Sequence, residues 1–383
     1  MELKKYKLGE ILDVTRGASL SGEFYATEGK YIRLTCGNFD YQNNCFKENK
    51  SKDNLYYIGD FKPEFLMEEG DIITPLTEQA IGLLGSTAII PESGKYIQSQ
   101  DVAKIICKEE LLDKDFVFYL ISSTLVKQQL SAAAQQTKIR HTSPDKIRDC
   151  TVWIPELTEQ KRIGKLLRSL DRKIELNRAI NQNLEAMAKQ LYDYWFVQFD
   201  FPNENGKPYK SSGGKMVWNE KLKREIPKGW NVLKLGEHCS FNKRTSNGYF
   251  NHPILYLDTS NITNNTIDEL QFLNPSSDII PSRARRLVQE GDIVYSTVRP
   301  NLKHFGIIMN PDYNMVVSTG FAVITANWSA YRYFIYQFLI QAATIENLST
   351  IAQSAVSAYP SINTSDIENL DLVVPVSYTH LRA

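Results

Sequence analysis

The chain carries one domain-sized pattern twice, and this repeat constrains its fold more than any other feature. Shared motifs are Lys-Leu-Gly-Glu at 7–10 and 234–237, Glu-Gly-Asp-Ile at 69–72 and 290–293, and a proline closing the last apolar strand at 155 and 375. The spacing is kept, because Gly70 and Pro155 are 85 positions apart and Gly291 and Pro375 are 84 apart. Copies of about 150 residues can each bury a core. We therefore predict two tandem domains of one fold.

Within each copy, short runs of β-branched and apolar residues bounded by turn residues predict strands. The predicted strands are Tyr31–Leu34, Ile72–Thr74, Ser86–Ile90, Val102–Cys107 and Cys150–Ile154 in the first copy, and Ile254–Leu257, Ile293–Tyr295, Gly306–Met309, Phe321–Thr325 and Asp371–Val374 in the second. One amphipathic helix per copy is predicted over Asp115–Ala133 and Tyr331–Leu348. The predicted fold class is α+β, with two β-rich α+β domains in tandem joined by a long coiled-coil-type α-helix.

The connector between the copies, residues 156–199, is poor in glycine and proline and predicts one helix about 60 Å long. Residues spaced by three and four form a coiled-coil seam. The seam is Ile163, Leu167, Leu170, Ile174, Asn177, Asn181, Leu184, Ala188, Leu191 and Trp195. Asn177 and Asn181 either fix the register of a partner or turn slightly outward. A single helix cannot bury this face, so we expect a second helix against it.

These patterns divide the chain into a first domain (1–155), a connector helix (156–199), a linker (200–227), a second domain (228–376) and a tail (377–383). The linker is rich in Pro, Gly, Ser and Lys, which indicates a loop that either touches phosphates or is simply solvated. The tail departs from the repeat, because no second connector follows Pro375. We expect either a truncated reading frame with a non-native tail or a half-length form that pairs with another chain. In both cases the unpaired seam predicts that the chain alone self-associates or is poorly soluble.

The composition and the motifs reduce the number of functions that this chain could have. The chain has 44 basic and 44 acidic residues, which argues against a free-standing non-specific DNA binder but leaves specific binding open. No phosphate-binding loop, dinucleotide fingerprint, metal-ligand spacing or catalytic triad is present, so we expect a binder and not an enzyme. Five unevenly spaced cysteines predict reduced thiols. Without a signal peptide or a bilayer-spanning segment in the sequence, we expect a cytoplasmic protein with no membrane partner.

Two loops in each copy differ between the copies, whereas the motifs around them match. The first loop is 75–85 or 296–304, and the second is 135–142 or 353–359. Their polar residues are of the types that bond base edges and phosphates, although loops are often polar and variable in any protein. The candidate DNA-binding residues, from these loops and their surroundings, are Arg33, Gln79, Gln136, Lys138, Arg140, His141, Arg244, Arg299, Asn301, Lys303, Gln353 and Tyr359. As the base-reading residue, Arg140 and Arg33 remain alternatives in the first copy, and Arg299 and Arg244 in the second.

The central part of the chain resembles a known family. The resemblance rests on residues 155–163, 194–196, 199–202, 206–214 and 226–230, which read PELTEQKRI, YWF, FDFP, GKPYKSSGG and IPKGW. This series resembles the DNA-specificity (S) subunit of type I restriction-modification systems, and the similarity extends over residues 1 to about 376. The resemblance implies that each domain is a target-recognition domain reading one half of a split DNA sequence in the major groove.

The resemblance also implies partners. Connector helices would pack antiparallel and dock methyltransferase (M) subunits, and restriction/translocase (R) subunits would join for cleavage. No cofactor would be bound by this chain, since S-adenosylmethionine, ATP and Mg would be bound by the partners.

The resulting hypothesis is a non-catalytic subunit that binds a bipartite site in double-stranded DNA. The rival is a non-DNA adaptor with two ligand-binding domains on a coiled-coil scaffold, which would bind its partner without a steep dependence on salt. A third option, a fragment of a fused restriction-methylation enzyme, would require the catalytic motifs that this sequence lacks.

Overall fold

The computed structural model describes residues 2–50, 53–78, 82–133, 140–354 and 359–375. The chain divides into two compact units, Met1–Ala179 and Ile180–Ala383. Both are mixed helix and strand, which confirms the α+β class. The first unit has strands β1 (Lys4–Lys7), β2 (Leu12–Arg16), β3 (Tyr25–Ala26), β4 (Tyr31–Arg33), β5 (Phe39–Asp40), β6 (Cys45–Phe46), β7 (Tyr56–Tyr57), β8 (Ile72–Pro75), β9 (Thr77–Glu78), β10 (Ala88–Ile89), β11 (Tyr96–Ile97), β12 (Val102–Cys107), β13 (Arg140–His141) and β14 (Thr151–Ile154). Its helices are α1 (Leu8–Ile11), α2 (Lys114–Ile121), α3 (Thr124–Ala133) and α4 (Pro144–Arg148), followed by the start of α5 (Leu157–Tyr192).

The first unit is built around a four-stranded sheet in the order β10-β8-β12-β2. Because successive side chains of a strand point to opposite faces, β8 contributes side chains to two hydrophobic cores. Ile72 packs into the cluster that contains the buried residues of α1 to α4. Ile73 packs into a second cluster with Tyr96 of the neighbouring sheet β11-β4-β7-β3 and with Leu34, which directly follows β4. The central sheet therefore lies between a helical layer and a second sheet.

The second unit repeats this plan. Its strands are β15 (Met216–Asn219), β16 (Arg224–Pro227), β17 (Asn231–Lys234), β18 (Cys239–Phe241), β19 (Ile254–Leu257), β20 (Ile262–Thr263), β21 (Thr266–Ile267), β22 (Gln271–Leu273), β23 (Ala284–Leu287), β24 (Ile293–Ser296), β25 (Phe305–Ile307), β26 (Met315–Ser318), β27 (Phe321–Ala326) and β28 (Asp371–Val374). Its helices are α6 (Leu235–His238), α7 (Arg332–Leu339), α8 (Ala342–Ser354) and α9 (Thr364–Glu368). Sheets β18-β27-β24-β25 and β22-β19-β26-β23 correspond to the two sheets above. Ile293 and Val294 again point into different cores.

The repeated Glu-Gly-Asp motif forms a turn held by its aspartate. Gly70 and Gly291 have φ of 83° and 79°, a left-handed conformation that glycine adopts without a steric penalty. The Asp71 carboxylate accepts from the Glu68 backbone N at 2.9 Å and from Lys104 Nζ at 2.7 Å. The motif is therefore repeated because it fixes the entry of the central strand in each unit.

The prediction of one amphipathic helix in each copy is wrong, since the structure has two shorter helices in its place. Between α2 and α3, the hydroxyls of Ser122 and Ser123 donate to the carbonyls of Phe118 and Leu120 at 3.1 and 2.6 Å. Ser123 Oγ also accepts from the Val126 backbone N at 3.4 Å, so one serine closes α2 and caps α3. In the second copy the break falls at Ile340 and Gln341, between α7 and α8.

Helix α5 is a continuous helix of 36 residues, as the connector pattern predicted. It is extended by a π-helical turn, Asp193–Val197. In the first unit, Tyr119 of α2 donates its hydroxyl to Asp171 Oδ2 at 2.5 Å. Burial and this hydrogen bond raise the pKa of Tyr119, so the phenol keeps its proton. In the second unit, Tyr192 and Phe196 pack on the ring of Phe334 in α7 at 5.6 and 4.7 Å between centroids.

Residues 200–227, expected to be a loop-like linker, are folded in the structure. Strands β15 and β16 form an antiparallel hairpin. Phe199, Phe201 and Trp230 are buried together, and Phe201 stacks on both Trp230 and Tyr209 at 5.0 and 4.7 Å. The composition indicated a loop because Gly, Pro and Ser dominate it, whereas the aromatic residues at its ends supply a small core.

Acid should weaken this aromatic module, because the Asp200 carboxylate accepts from Ser211 Oγ at 2.5 Å and Ser211 N at 2.7 Å. These bonds lower the pKa of Asp200 below its ordinary value of 3.8. A lowered carboxyl pKa contributes stability above pH 3.8 that is lost as pH falls through the folded-state pKa. We expect Asp200→Asn to lose this acid-dependent step in Trp fluorescence, with Asp145→Asn as an exposed control. An unchanged acid profile for Asp200→Asn would contradict the assignment.

Candidate nucleic-acid interface

The two variable loops of the first unit are joined by backbone pairing. Strands β9 and β13 are antiparallel, with Thr77 opposite His141 and Glu78 opposite Arg140. The backbone N of Thr142 donates to the Leu76 carbonyl at 2.9 Å. Loops 75–85 and 135–142, picked out separately by their sequence, therefore meet at one place.

The corresponding loops of the second unit meet in the same way. Val298 and Ser361 form an antiparallel bridge. The backbone N of Ile362 donates to the Thr297 carbonyl at 2.8 Å, and that of Arg299 to the Pro360 carbonyl at 2.9 Å. Each unit thus presents one composite surface built from its two variable loops.

The loop of the second unit has an uncommon backbone conformation. Arg299 and Lys303 have φ of 49° and 58°, and a 3₁₀ turn, Pro300–Leu302, lies between them. Left-handed backbone costs free energy for residues other than glycine, so the surrounding structure must hold it. Such strain is concentrated at functional sites.

Several hydrogen bonds hold this loop. The backbone N of Thr297 donates to the Gly320 carbonyl at 2.9 Å, and that of Ser296 to the His304 carbonyl at 2.9 Å. The His304 imidazole Nδ1 lies 2.6 Å from the Ile262 carbonyl. Because the loop is fixed at both ends, its backbone has little conformational entropy left to lose on binding.

Three of the exposed side chains of this loop are polar or basic. Arg299, Asn301 and Lys303 are all exposed. The Arg299 guanidinium lies over the ring of Tyr359 from the second loop, 5.7 Å from its centroid. Tyr359 is 64 % exposed, so this pair joins both loops at the surface. An arginine held in this way can present its planar fork to a guanine edge or a phosphate.

The structure separates the alternative arginines by their surroundings. Arg33 is buried, with its guanidinium over the Tyr25 ring at 3.9 Å and Nη2 donating to the Asn54 carbonyl at 3.3 Å. Arg244 donates from Nη2 to the buried carboxylate of Asp292 at 2.6 Å. Both side chains are bonded within the fold, so we do not carry them into the proposed interface.

The other predicted residues of the interface fall into two groups. Gln79, Gln136, Lys138 and the side chain of Arg140 lie outside what the structure describes. His141 is exposed, with Nδ1 3.3 Å from Thr77 Oγ1, and Gln353 is exposed near the end of α8. Thr77 and Thr297 lie at the base of the paired loops in the first and second units. The sequence did not single them out as candidate interface residues, because threonine is common in ordinary strands.

The predicted seam of α5 is exposed along much of its length. Every residue from Arg172 to Leu191 is exposed, which leaves the apolar ones uncovered within the described chain. The exposed fractions along this stretch and just before it are 48 % for Leu170, 48 % for Ile174, 57 % for Leu184 and 43 % for Leu191. Ile163, Leu167 and Trp195, towards the two ends of the helix, are half-buried, and Asn177 and Asn181 are exposed within the stripe. A flanking row, Leu166, Leu176, Ile180 and Met187, is also exposed and widens the apolar face.

The described residues contain no group of three or more His, Cys, Asp and Glu placed to hold a metal ion. None of the five cysteines, all of which the structure describes, forms a disulfide. Burial raises the pKa of Cys107 to about 11 and of Cys239 to about 12, so these thiols remain protonated and unreactive near neutral pH. In the part of the chain that the structure describes, no helix is both long and apolar enough to cross a membrane.

Comparison with known proteins identifies the family of the first half of the chain. Residues 1–186 match the model of the type I restriction modification DNA specificity domain. This part of the chain belongs to that family of specificity domains. The MjaIX specificity subunit of Methanocaldococcus jannaschii is 24 % identical over 287 residues, which are 72 % of this chain and 62 % of the relative. The HindI specificity subunit of Haemophilus influenzae is 30 % identical over 156 residues, 40 % of this chain and 33 % of the relative.

The chain thus spans less than two thirds of the length of these curated relatives. A solved structure agrees with the fold. The type I S subunit from M. genitalium covers the whole of this chain and 87 % of its own, with a TM-score of 0.60 at 14 % identity. The predicted arrangement of two sheet-rich domains and a long helix is confirmed.

Proposed function

We propose that this specificity subunit reads a bipartite sequence in double-stranded DNA, one half with each composite loop surface. The main support for this proposal is that the two variable loops, whose sequences differ between the copies, are joined by the same backbone pairing in each unit. A common frame with two different exposed surfaces suits the recognition of two different half-sites. Arg299, Asn301 and Lys303 supply the bonding groups in the second unit, and His141 in the first.

In this proposal the chain is a non-catalytic component of the complex. The partner subunits carry out the methylation and cleavage reactions. The exposed stripe of α5 supports the docking of methyltransferase subunits and of an antiparallel helix, with restriction subunits joining the assembly. An apolar helix face of this length is stable in water only when another surface covers it.

A binding-site selection tests the DNA proposal. The chain would be assembled with its methyltransferase subunits and exposed to a pool of randomised duplexes. We expect a split motif whose half-sites are about one helical turn apart. Recovery of one contiguous motif, or of no motif, would sink the proposal.

The exposed stripe gives a separate prediction. Without partners, the chain should self-associate through α5, and Leu184→Lys with Met187→Lys should shift it towards monomer. These side chains are 57 % and 63 % exposed, so charges there can be solvated without disturbing the fold. Gln182→Lys, on the opposite face of the same helix and also exposed, is the matched control and should leave the mass unchanged. Light scattering showing a wild-type monomer would contradict this expectation.

A further inference from the structure

We propose that Arg283 and Arg285 form a surface of the second unit that binds the DNA phosphate backbone beside the reading loop. This inference rests on the proposed DNA-reading function and extends it to a phosphate contact that the repeat motifs do not predict.

Arg283 and Arg285 point to the same side of the chain at β23. They flank Ala284, which is fully buried, and both cationic side chains are exposed. The backbone N of Ser246 donates to the Arg285 carbonyl at 2.7 Å, and that of Leu287 to the Arg244 carbonyl at 3.1 Å. The segment 242–248 therefore runs beside β23, which carries Arg285 and is preceded by Arg283.

The cations have no neutralising partner among the residues that the structure describes. Neither arginine lies within 4.0 Å of a carboxylate oxygen there, in contrast to Arg244, which pairs with Asp292 at 2.6 Å. Arg285 is oriented by a bond from Nε to the Ser282 carbonyl at 3.0 Å. Its side chain also lies against Gly248, where an added Cβ would be 3.5 Å from Nε. The Nη groups are left to bond phosphate oxygens.

This surface adjoins the reading loop through one turn. The backbone N of Thr319 donates to the Arg283 carbonyl at 2.8 Å. The next residue, Gly320, accepts from the backbone N of Thr297 at 2.9 Å, at the base of the loop that carries Arg299. A duplex seated on that loop would therefore pass close to the cations. This proximity favours DNA over another anionic partner.

The first unit lacks the same surface. Eight positions before the motif glycine, Lys62 stands where the second unit has Arg283, and Glu64 stands where it has Arg285. Lys62 and Glu64 lie 3.7 Å apart as an ion pair. The charge is cancelled within the first unit, so the phosphate contact is specific to the second.

The salt dependence of binding separates a phosphate contact from a base contact. Each phosphate neutralised contributes about 0.9 to the slope of log affinity against log salt. In the chain assembled with its methyltransferase subunits, Arg283→Gln with Arg285→Gln should reduce the slope by about 2 on both a selected and a scrambled duplex. The selected motif should not change. Lys62→Gln is the matched control and should keep the wild-type slope.

Each alternative outcome has a definite meaning. A wild-type slope in the double variant would overturn the phosphate contact alone, and so would an altered base preference at one position. An assembled wild type that binds neither duplex with salt dependence would overturn the proposed function itself, and this inference with it.

Discussion

Replacing Asp292 with alanine is expected to lower the free energy of unfolding of the second unit by about 3 kcal/mol. The side chain is fully buried, and Oδ2 accepts from the Gln289 backbone N at 2.9 Å and from Arg244 Nη2 at 2.6 Å. Oδ1 accepts from Thr325 Oγ1 at 2.7 Å. The substitution would leave a buried amide, a hydroxyl and a guanidinium without their acceptor. Because Arg244 is about a third exposed, water would recover part of the loss.

The equivalent carboxylate in the first unit provides the control. Asp71 makes a similar turn, but its side chain is 13 % exposed and its partner Lys104 is 25 % exposed. Asp71→Ala should therefore destabilise its unit by a smaller amount, about 1–2 kcal/mol. Urea unfolding of both variants, followed by fluorescence, measures the difference. Equal losses, or a loss below about 1 kcal/mol for Asp292→Ala, would show that burial does not determine how much this aspartate contributes to the free energy of unfolding.

Replacing Arg299 with alanine should weaken binding to the selected duplex by about 10- to 100-fold, since a bidentate base contact contributes about 1–3 kcal/mol of discrimination. The loss should be confined to one half-site, where the preferred base should become degenerate. Leu302→Ala, in the same 3₁₀ turn and 44 % exposed, is the control and should retain both affinity and motif.

Arg299→Lys separates base reading from charge. Lysine keeps the positive charge but lacks the planar fork, so a base-reading role predicts a loss of specificity close to that of alanine. A pure phosphate contact predicts near-normal binding with an unchanged motif. Repeating the binding-site selection with each variant distinguishes the two, and an unaltered half-site in Arg299→Ala would remove Arg299 from the interface.

The repeated motifs predicted much of the frame, because turns and half-buried strands depend on local rules. The motif at Gly70 and Gly291 is such a case, since a left-handed turn before an apolar strand is visible in four residues. The break at Ser123 was missed because the apolar periodicity continues through it, while the capping bonds of that serine depend on the three-dimensional fold. The buried aromatic module around Trp230 was missed for a similar reason, since its partners are separated along the chain.

The interface was predicted less completely than the frame. The sequence identified both loops of each copy, but not that they pair with one another, because the pairing joins residues such as Thr77 and His141 that are far apart in sequence. It also could not choose between Arg299 and Arg244. That choice depends on Asp292, whose burial and ion pair appear only once the sheets are assembled.

The pairing between the loops has a consequence for how such a protein can change. The bonds that join Val298 to Ser361 and Thr77 to His141 are made by main-chain atoms, which every residue except proline supplies in full. Mutation can therefore alter the exposed side chains without removing the attachment that positions them. Under the proposed function, in which each unit reads one half-site, a lineage could acquire a new half-site in one unit while inheriting the old one in the other, because each unit carries its own attachment. Recognition of the two proposed half-sites could then evolve one half at a time.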